Sequence, residues 1–143
     1  MLRSGEMMAD SGCERGVCGP KGHQEMREFL RKIGLKPVKV DKQEEFQFGD
    51  GEVVMSDCAF LYPCFLQNKY VGYVRIARVS VPCPPLFSKE MLKEWKCNLR
   101  FHDQALDITR FGVTVPFRQG SPVINILDID RQPVGVDRQF RSE

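Results

Sequence analysis

The tripeptide Asp10-Ser11-Gly12 contains the residues of this chain whose types and order are best suited to chemistry. A carboxylate can give or take a proton during a reaction. The Ser11 hydroxyl can hold a loop by hydrogen bonds, and Gly12 lets two backbone segments approach closely because it has no side chain. Asp-Ser-Gly is also an ordinary turn sequence, so its meaning depends on the elements around it.

A second constellation, Cys13, Cys18 and His23, raises the alternative of a small β domain stabilised by zinc. No fourth ligand lies nearby in sequence, and we therefore expect no metal and no cofactor. A nucleophilic site that pairs a cysteine with His23 or His102 is a further alternative, but the local sequence around these residues does not support it.

The composition of the chain excludes several classes of function. Its 143 residues, 42% hydrophobic and 28% charged, are enough for one folded domain. The formal net charge of +2 gives no electrostatic reason to expect nucleic-acid binding. No stretch approaches the ~20 apolar residues of a membrane span, and residues 1–10 do not resemble a secretory signal. We expect an intracellular, cytoplasmic protein without membrane association, whose six cysteines are reduced thiols.

Two short helices are predicted from the spacing of apolar residues. In residues 23–34, apolar side chains recur at helical spacing and form one stripe. Gly34 is a typical helix stop. Ser88 can cap a second helix over residues 89–96.

The rest of the chain is dominated by β-forming residues. A hairpin is predicted over residues 46–55, where Gly49-Asp50-Gly51 separates two apolar runs. Further strands are predicted at 59–62 (ending at Pro63), 70–81, 99–101, 106–109, 113–117 and 123–129. Residues 131–143 lose all periodicity and are expected to form a disordered tail or linker. Residues 1–130 are therefore predicted to be a mostly β domain, a small closed or partly closed β-barrel with two short helices.

Five segments, taken in order, resemble the retropepsin-like aspartic protease domains of retroviruses and retrotransposon polyproteins. In that family a strand ends in Asp-Thr/Ser-Gly, a hairpin flap follows, and a later apolar strand delivers a small residue into a short helix. The corresponding segments of this chain are 9–13, 46–51, 61–64, 85–89 and 111–116. The resemblance extends from about Met7 to Ile129 and implies the barrel of that family.

The resemblance implies an aspartic-type endopeptidase with Asp10 as the catalytic residue and with Ser11 and Gly12 supporting the catalytic loop. In such enzymes two facing carboxylates share one proton, so that one activates a water molecule and the other protonates the leaving nitrogen. This chain supplies one such motif, and the second carboxylate would come from an identical chain across a two-fold axis. The implied partners are a second copy of the chain and an extended peptide, such as a parent retrotransposon polyprotein.

The resemblance also assigns a role to the hairpin over residues 46–55. Its tip, formed by Phe48, Gly49, Asp50 and Gly51, would bind the substrate as a flap that excludes water. An ordinary surface hairpin is the alternative.

The chain departs from the family pattern at several positions. Cys13 stands where Ala is usual, and Ser88-Lys89 stands where Gly-Arg is usual. Lysine lacks the planar fork with which arginine makes bidentate pairs. The stretch before Asp10 is shorter than in the family, where it builds a first hairpin and part of the dimer interface. The short stretch before Asp10 and the Ser88-Lys89 departure favour an alternative function, a catalytically silent fold that self-associates or binds peptides.

Overall fold

The computed structural model describes residues 2–142. Within them, short runs of β-forming residues give twelve strands and two α-helices. The helices are α1 (Pro20–Lys32) and α2 (Lys89–Glu94). The strands are β1 (Glu6–Asp10), β2 (Val17–Cys18), β3 (Val38–Val40), β4 (Glu45–Gln47), β5 (Val53–Met55), β6 (Cys58–Leu66), β7 (Lys69–Arg78), β8 (Leu86–Ser88), β9 (Cys97–Arg100), β10 (Ala105–Ile108), β11 (Val113–Arg118) and β12 (Ser121–Asn125).

Helix α1 begins at Pro20 rather than at residue 23 as predicted. Proline suits the first helical position because its fixed φ is helical and its missing N–H has no partner there. The helix buries His23, Met26 and Leu30 in the interior of the protein. It ends just before Gly34, whose φ of +76° favours glycine, so the predicted stop is confirmed.

Ten of the strands form one sheet in the order β3-β6-β7-β2-β8-β1-β12-β11-β10-β9, while β4 and β5 form a separate hairpin. A bridge between Phe65 and Leu127 joins β6 to the chain just beyond β12, so the sheet curls back on itself. The strand order is nevertheless open, with β3 and β9 as its two edges. The closed form of the predicted barrel is therefore wrong, because these edge strands do not pair with each other within the described residues.

Strand β6 continues through Pro63, although the sequence analysis expected the strand to end there. Its pairing with β3 stops at Leu61, so Pro63 lies where β6 has lost one of its two neighbouring strands. A proline is tolerated at such a position because fewer backbone N–H donors are required. On the other side, Pro63 remains opposite Tyr73 of β7, and this pairing sets the length of the strand.

Residues 131–143 were expected to be a disordered tail or linker. Residue 143 lies outside the described residues, and residues 131–142 pack against the rest of the protein. Phe140 is fully buried, and its ring centre lies 5.8 Å from that of Tyr73 in β7. The Phe140 carbonyl accepts a hydrogen bond from the Lys36 N–H at 2.9 Å. The segment lacks periodicity because individual contacts, and not a regular helix or strand, attach it.

The interior is filled mainly by aliphatic and aromatic side chains. Its largest fully buried members include Tyr62, Phe65, Phe87, Phe140 and Met7. A smaller cluster contains Val17, Phe46, Ala59, Ala77 and Val79. Because Phe46 belongs to β4, this cluster attaches the base of the β4–β5 hairpin to the sheet. In residues 2–142, neither helix has the length and apolar character that crossing a membrane requires.

Candidate functional site

Asp10 is the last residue of β1, an interior strand of the sheet. β12 pairs with one side of β1 in antiparallel fashion, and β8 pairs with the other side in parallel. The register places Asp10 opposite Ser88, the last residue of β8. Since α2 follows Ser88 directly, Asp10 lies beside the beginning of this helix.

Hydrogen bonds within the loop that follows Asp10, and between this loop and the start of α2, hold the loop in place. The Gly12 N–H donates to Asp10 Oδ1 at 2.9 Å, which orients the carboxylate. The Cys13 N–H donates to the Asp10 carbonyl at 3.1 Å, and the Lys89 N–H donates to the Cys13 carbonyl at 2.8 Å. A Cβ atom on residue 12 would lie only 3.2 Å from Asp10 Oδ1. Glycine avoids this close contact with the carboxylate.

Ser88 begins the helix beside Asp10 in the way that the sequence predicts. It is fully buried, and its Oγ accepts a hydrogen bond from the Met91 N–H at 3.3 Å. Lys89 pairs with Glu14 at 3.8 Å, but both side chains are more than half exposed. An exposed pair of this kind contributes little to stability, so the burial and capping of Ser88 are what fix the start of α2.

The β4–β5 hairpin, predicted over residues 46–55, is confirmed. Phe46 lies opposite Val54 in its antiparallel ladder. At the tip, the Gly51 N–H donates to the Phe48 carbonyl at 2.9 Å. Gly51 has φ of +85°, a conformation that residues with a Cβ rarely adopt.

A cleft of about 500 Å³ separates this hairpin from the Asp10 loop. One wall consists of Asp10 and residues 12–15, the other of residues 45–49, and Leu86 of β8 closes one side. A cleft of this size accommodates the side chains of a bound peptide or a small ligand.

The structure brings most, but not all, of the predicted site residues to this cleft. Four of them line it: Asp10, Gly12, Phe48 and Gly49. Three others are exposed beside the lining residues: Ser11, Asp50 and Gly51. The sequence analysis missed Arg15, which lines the cleft and reaches across it. No local signal marks this residue, because the backbone carbonyl that it binds lies 30 positions away in the sequence.

His23 uses both of its ring nitrogens in hydrogen bonds within the interior. The Ala77 carbonyl can only accept a hydrogen bond, so His23 Nε2 donates to it at 3.0 Å. His23 Nδ1 then accepts from the Tyr62 hydroxyl at 2.5 Å. Within residues 2–142, no group of three or more His, Cys, Asp or Glu side chains is placed to hold a metal ion. All six cysteines are described and are free. Burial raises the pKa of the Cys18 thiol to about 12, which leaves it protonated and a poor nucleophile.

Comparison with known proteins bears on the fold. No protein-family model and no curated protein sequence matches the chain. Its structure is similar to the crystal structure of the retroviral protease-like domain of Ddi1 from Leishmania major, with a TM-score of 0.53 and 15% sequence identity. The similarity covers 84% of this chain and 95% of that chain. The protein therefore has a mostly β, retropepsin-like fold.

Proposed function

We propose that this chain is an aspartic-type endopeptidase that acts as a homodimer, with Asp10 of each copy as its catalytic residue. The observation that carries the proposal is the position of Asp10. It stands at the end of an interior strand, has its carboxylate oriented by the Gly12 N–H at 2.9 Å, and lines a cleft of about 500 Å³ beneath a hairpin. The retropepsin-like fold supports the same conclusion.

The proposed chemistry requires two carboxylates that share one proton. Two such groups in contact cannot both ionise, so their titrations separate. The ionised Asp10 would remove a proton from a water molecule as the water attacks the peptide carbonyl. The protonated Asp10 of the second copy would then protonate the leaving nitrogen.

The shape of the cleft favours an extended peptide as the substrate. A peptide between the Asp10 loop and the β4–β5 hairpin would form strand-like hydrogen bonds to the backbone on either side. The hairpin would act as a flap that excludes water during the reaction. We extend the proposal to a retrotransposon-type polyprotein as the source of the peptide and to the cytoplasm as the compartment, where the free cysteines would stay reduced.

The proposal is tested by incubating the purified chain and its Asp10→Asn variant with a denatured protein mixture from about pH 4 to about pH 7. We expect the wild-type chain to cleave and the variant to lose turnover. The asparagine Oδ1 can still accept the Gly12 hydrogen bond, so a thermal melt should report the same fold for both. Equal cleavage by both proteins would contradict the role of Asp10.

A second candidate function is a catalytically silent module that self-associates or binds peptides. One observation favours it: Lys89, which stands where the family resemblance implies an arginine, makes an exposed pair with Glu14 at 3.8 Å, and a lysine lacks the planar fork that would stabilise a dimer contact. This candidate predicts no cleavage by either protein although both are folded. Sedimentation would then report self-association, and titration with a library of extended peptides would report binding.

A further inference from the structure

Arg15 connects the Asp10 loop with the base of the β4–β5 hairpin through three contacts. Its Nη1 pairs with Glu44 Oε2 at 3.0 Å, and its Nη2 donates to the Glu45 carbonyl at 2.9 Å. Its Cζ lies 5.3 Å from the centre of the Phe46 ring. One side chain thus crosses from the loop that carries Asp10 to the three residues with which the hairpin begins.

Glu44 transmits this connection to the central sheet. Its side chain is only 5% exposed, and a carboxylate is rarely so buried unless it is paired. It also accepts a hydrogen bond from Nη2 of Arg75 in β7. Its backbone N–H donates to Ser56 Oγ at 2.8 Å, which joins the two ends of the hairpin. The buried Glu44 therefore links the hairpin, the sheet and, through Arg15, the Asp10 loop.

The second strand of the hairpin and its tip have exposed side chains. Val53 and Met55 on β5 are 55% and 54% exposed. At Gly49, near the tip, an added Cβ would meet no atom within 4 Å. Phe48 and Val54 pack against the smaller cluster, whereas the ion pairs of Glu44 and the hydrogen bond to the Glu45 carbonyl join the base of the hairpin to the rest of the protein. These directional polar contacts at the base therefore set where the hairpin stands.

We propose that Arg15 is a positioning residue that sets the height of the hairpin over Asp10 and so the width of the cleft. A guanidinium suits this task because its donors lie in one rigid plane and can bind Glu44 and Glu45 together, while its face covers Phe46. A lysine ammonium can replace one of these contacts but not all three. Only the catalytic consequence of this inference rests on the proposed endopeptidase function.

Hydrogen exchange of the whole chain, followed by mass spectrometry, tests the position of the hairpin without requiring activity. We expect Arg15→Met to speed exchange in residues 45–55 by about tenfold, since it removes a charge-assisted anchor. Exchange in β6 should stay unchanged, which verifies that the variant is folded. Arg15→Lys should lie between the variant and the wild type.

Arg100→Met is the matched control for this experiment. The side chains of Arg100 and Arg15 are 43% and 44% exposed, and Arg100 pairs with Asp103 and Asp107 at 2.5 and 2.8 Å, away from the hairpin. The control should leave exchange in residues 45–55 as in the wild type. Equal exchange of the hairpin in Arg15→Met and Arg100→Met would overturn the inference.

Peptide cleavage tests the catalytic consequence. In an active wild-type enzyme, Arg15→Met should raise KM by a larger factor than it lowers kcat, because substrate binding needs the hairpin at its proper height. Arg100→Met should change neither constant. Faster hairpin exchange with unchanged KM would overturn the catalytic consequence. A wild-type chain that cleaves nothing would remove the proposed function, and hydrogen exchange alone would then decide whether Arg15 positions the hairpin.

Discussion

The buried His23 makes the stability of the protein depend on pH. Burial lowers the pKa of His23 to about 4 from an ordinary value of 6.5, and the charges of Arg78 and Arg27 act in the same direction. Between pH 6.5 and 4, His23 is therefore protonated in the unfolded chain but not in the folded chain. The contribution of His23 to stability is fully present above pH 6.5 and is lost as the pH drops through this window. By about pH 4.5 the loss should reach about 2 kcal/mol.

Urea unfolding of wild-type protein and of His23→Gln at several values between pH 6.5 and 4.5 measures this effect. Glutamine can replace both hydrogen bonds of His23 but does not titrate, so the variant should lose most of the pH dependence. The exposed His102 provides the control, and His102→Gln should keep the slope of the wild type. A slope that survives in His23→Gln would show that other groups cause it. The result also sets the pH below which a cleavage assay reports unfolding as well as chemistry.

At the scale of elements, the C-terminal segment is predicted to be a structural part of the domain. Phe140 is fully buried and packs beside Tyr73 of β7. Phe140→Ala should lower the free energy of unfolding by about 3–5 kcal/mol, because it leaves a cavity beneath the segment. Val134, 83% exposed, supplies the control in the same segment: Val134→Ala should change stability by less than about 0.5 kcal/mol. Equal urea midpoints for the two variants would argue against this role.

The elements that the sequence predicts correctly are those whose signal is local. The apolar stripe of α1, the Ser88 cap of α2 and the Gly49-Asp50-Gly51 turn each lie within a few residues. The features that the sequence predicts wrongly depend on contacts with residues far along the chain. Strand β6 passes Pro63 because β7 continues beside it, and residues 131–142 are ordered by contacts with residues such as Lys36 and Tyr73.

The same division explains how much of the candidate site is visible in the sequence. Asp10 and Gly12 form one short motif, and the hairpin that faces them has its own turn signal. Arg15 and Glu44 have no such signal, since each is an ordinary surface residue type and their contact exists only after folding. The partner of β1 is similarly hidden. The structure pairs β1 with β12 from the distant end of the chain, and no local pattern around β1 indicates this partner.

At the scale of the whole molecule, the proposed chemistry requires a second chain. The other acidic residues that line the cleft are Glu14 and Glu45, both of which are exposed. Glu14 is already close to Lys89, at 3.8 Å. Ser11 and Gly12, which flank the Asp10 carboxylate, are exposed as well. A second copy could therefore bring its own Asp10 loop against this one, and the two carboxylates would become the shared-proton pair.

Mixing wild-type chain with Asp10→Asn chain at fixed total concentration tests this requirement directly. Suppose that both carboxylates are needed and that the chains exchange freely. An equal mixture should then show about one quarter of the activity of pure wild-type chain at the same total concentration, because about one dimer in four contains two Asp10 residues. If each chain works alone, the mixture should keep about half, which would contradict the two-chain site. Mixing with Arg100→Met chain in place of Asp10→Asn controls for dilution and should leave the activity unchanged. Diluting the wild-type chain should also lower its activity per chain, since dissociation separates the two Asp10 residues.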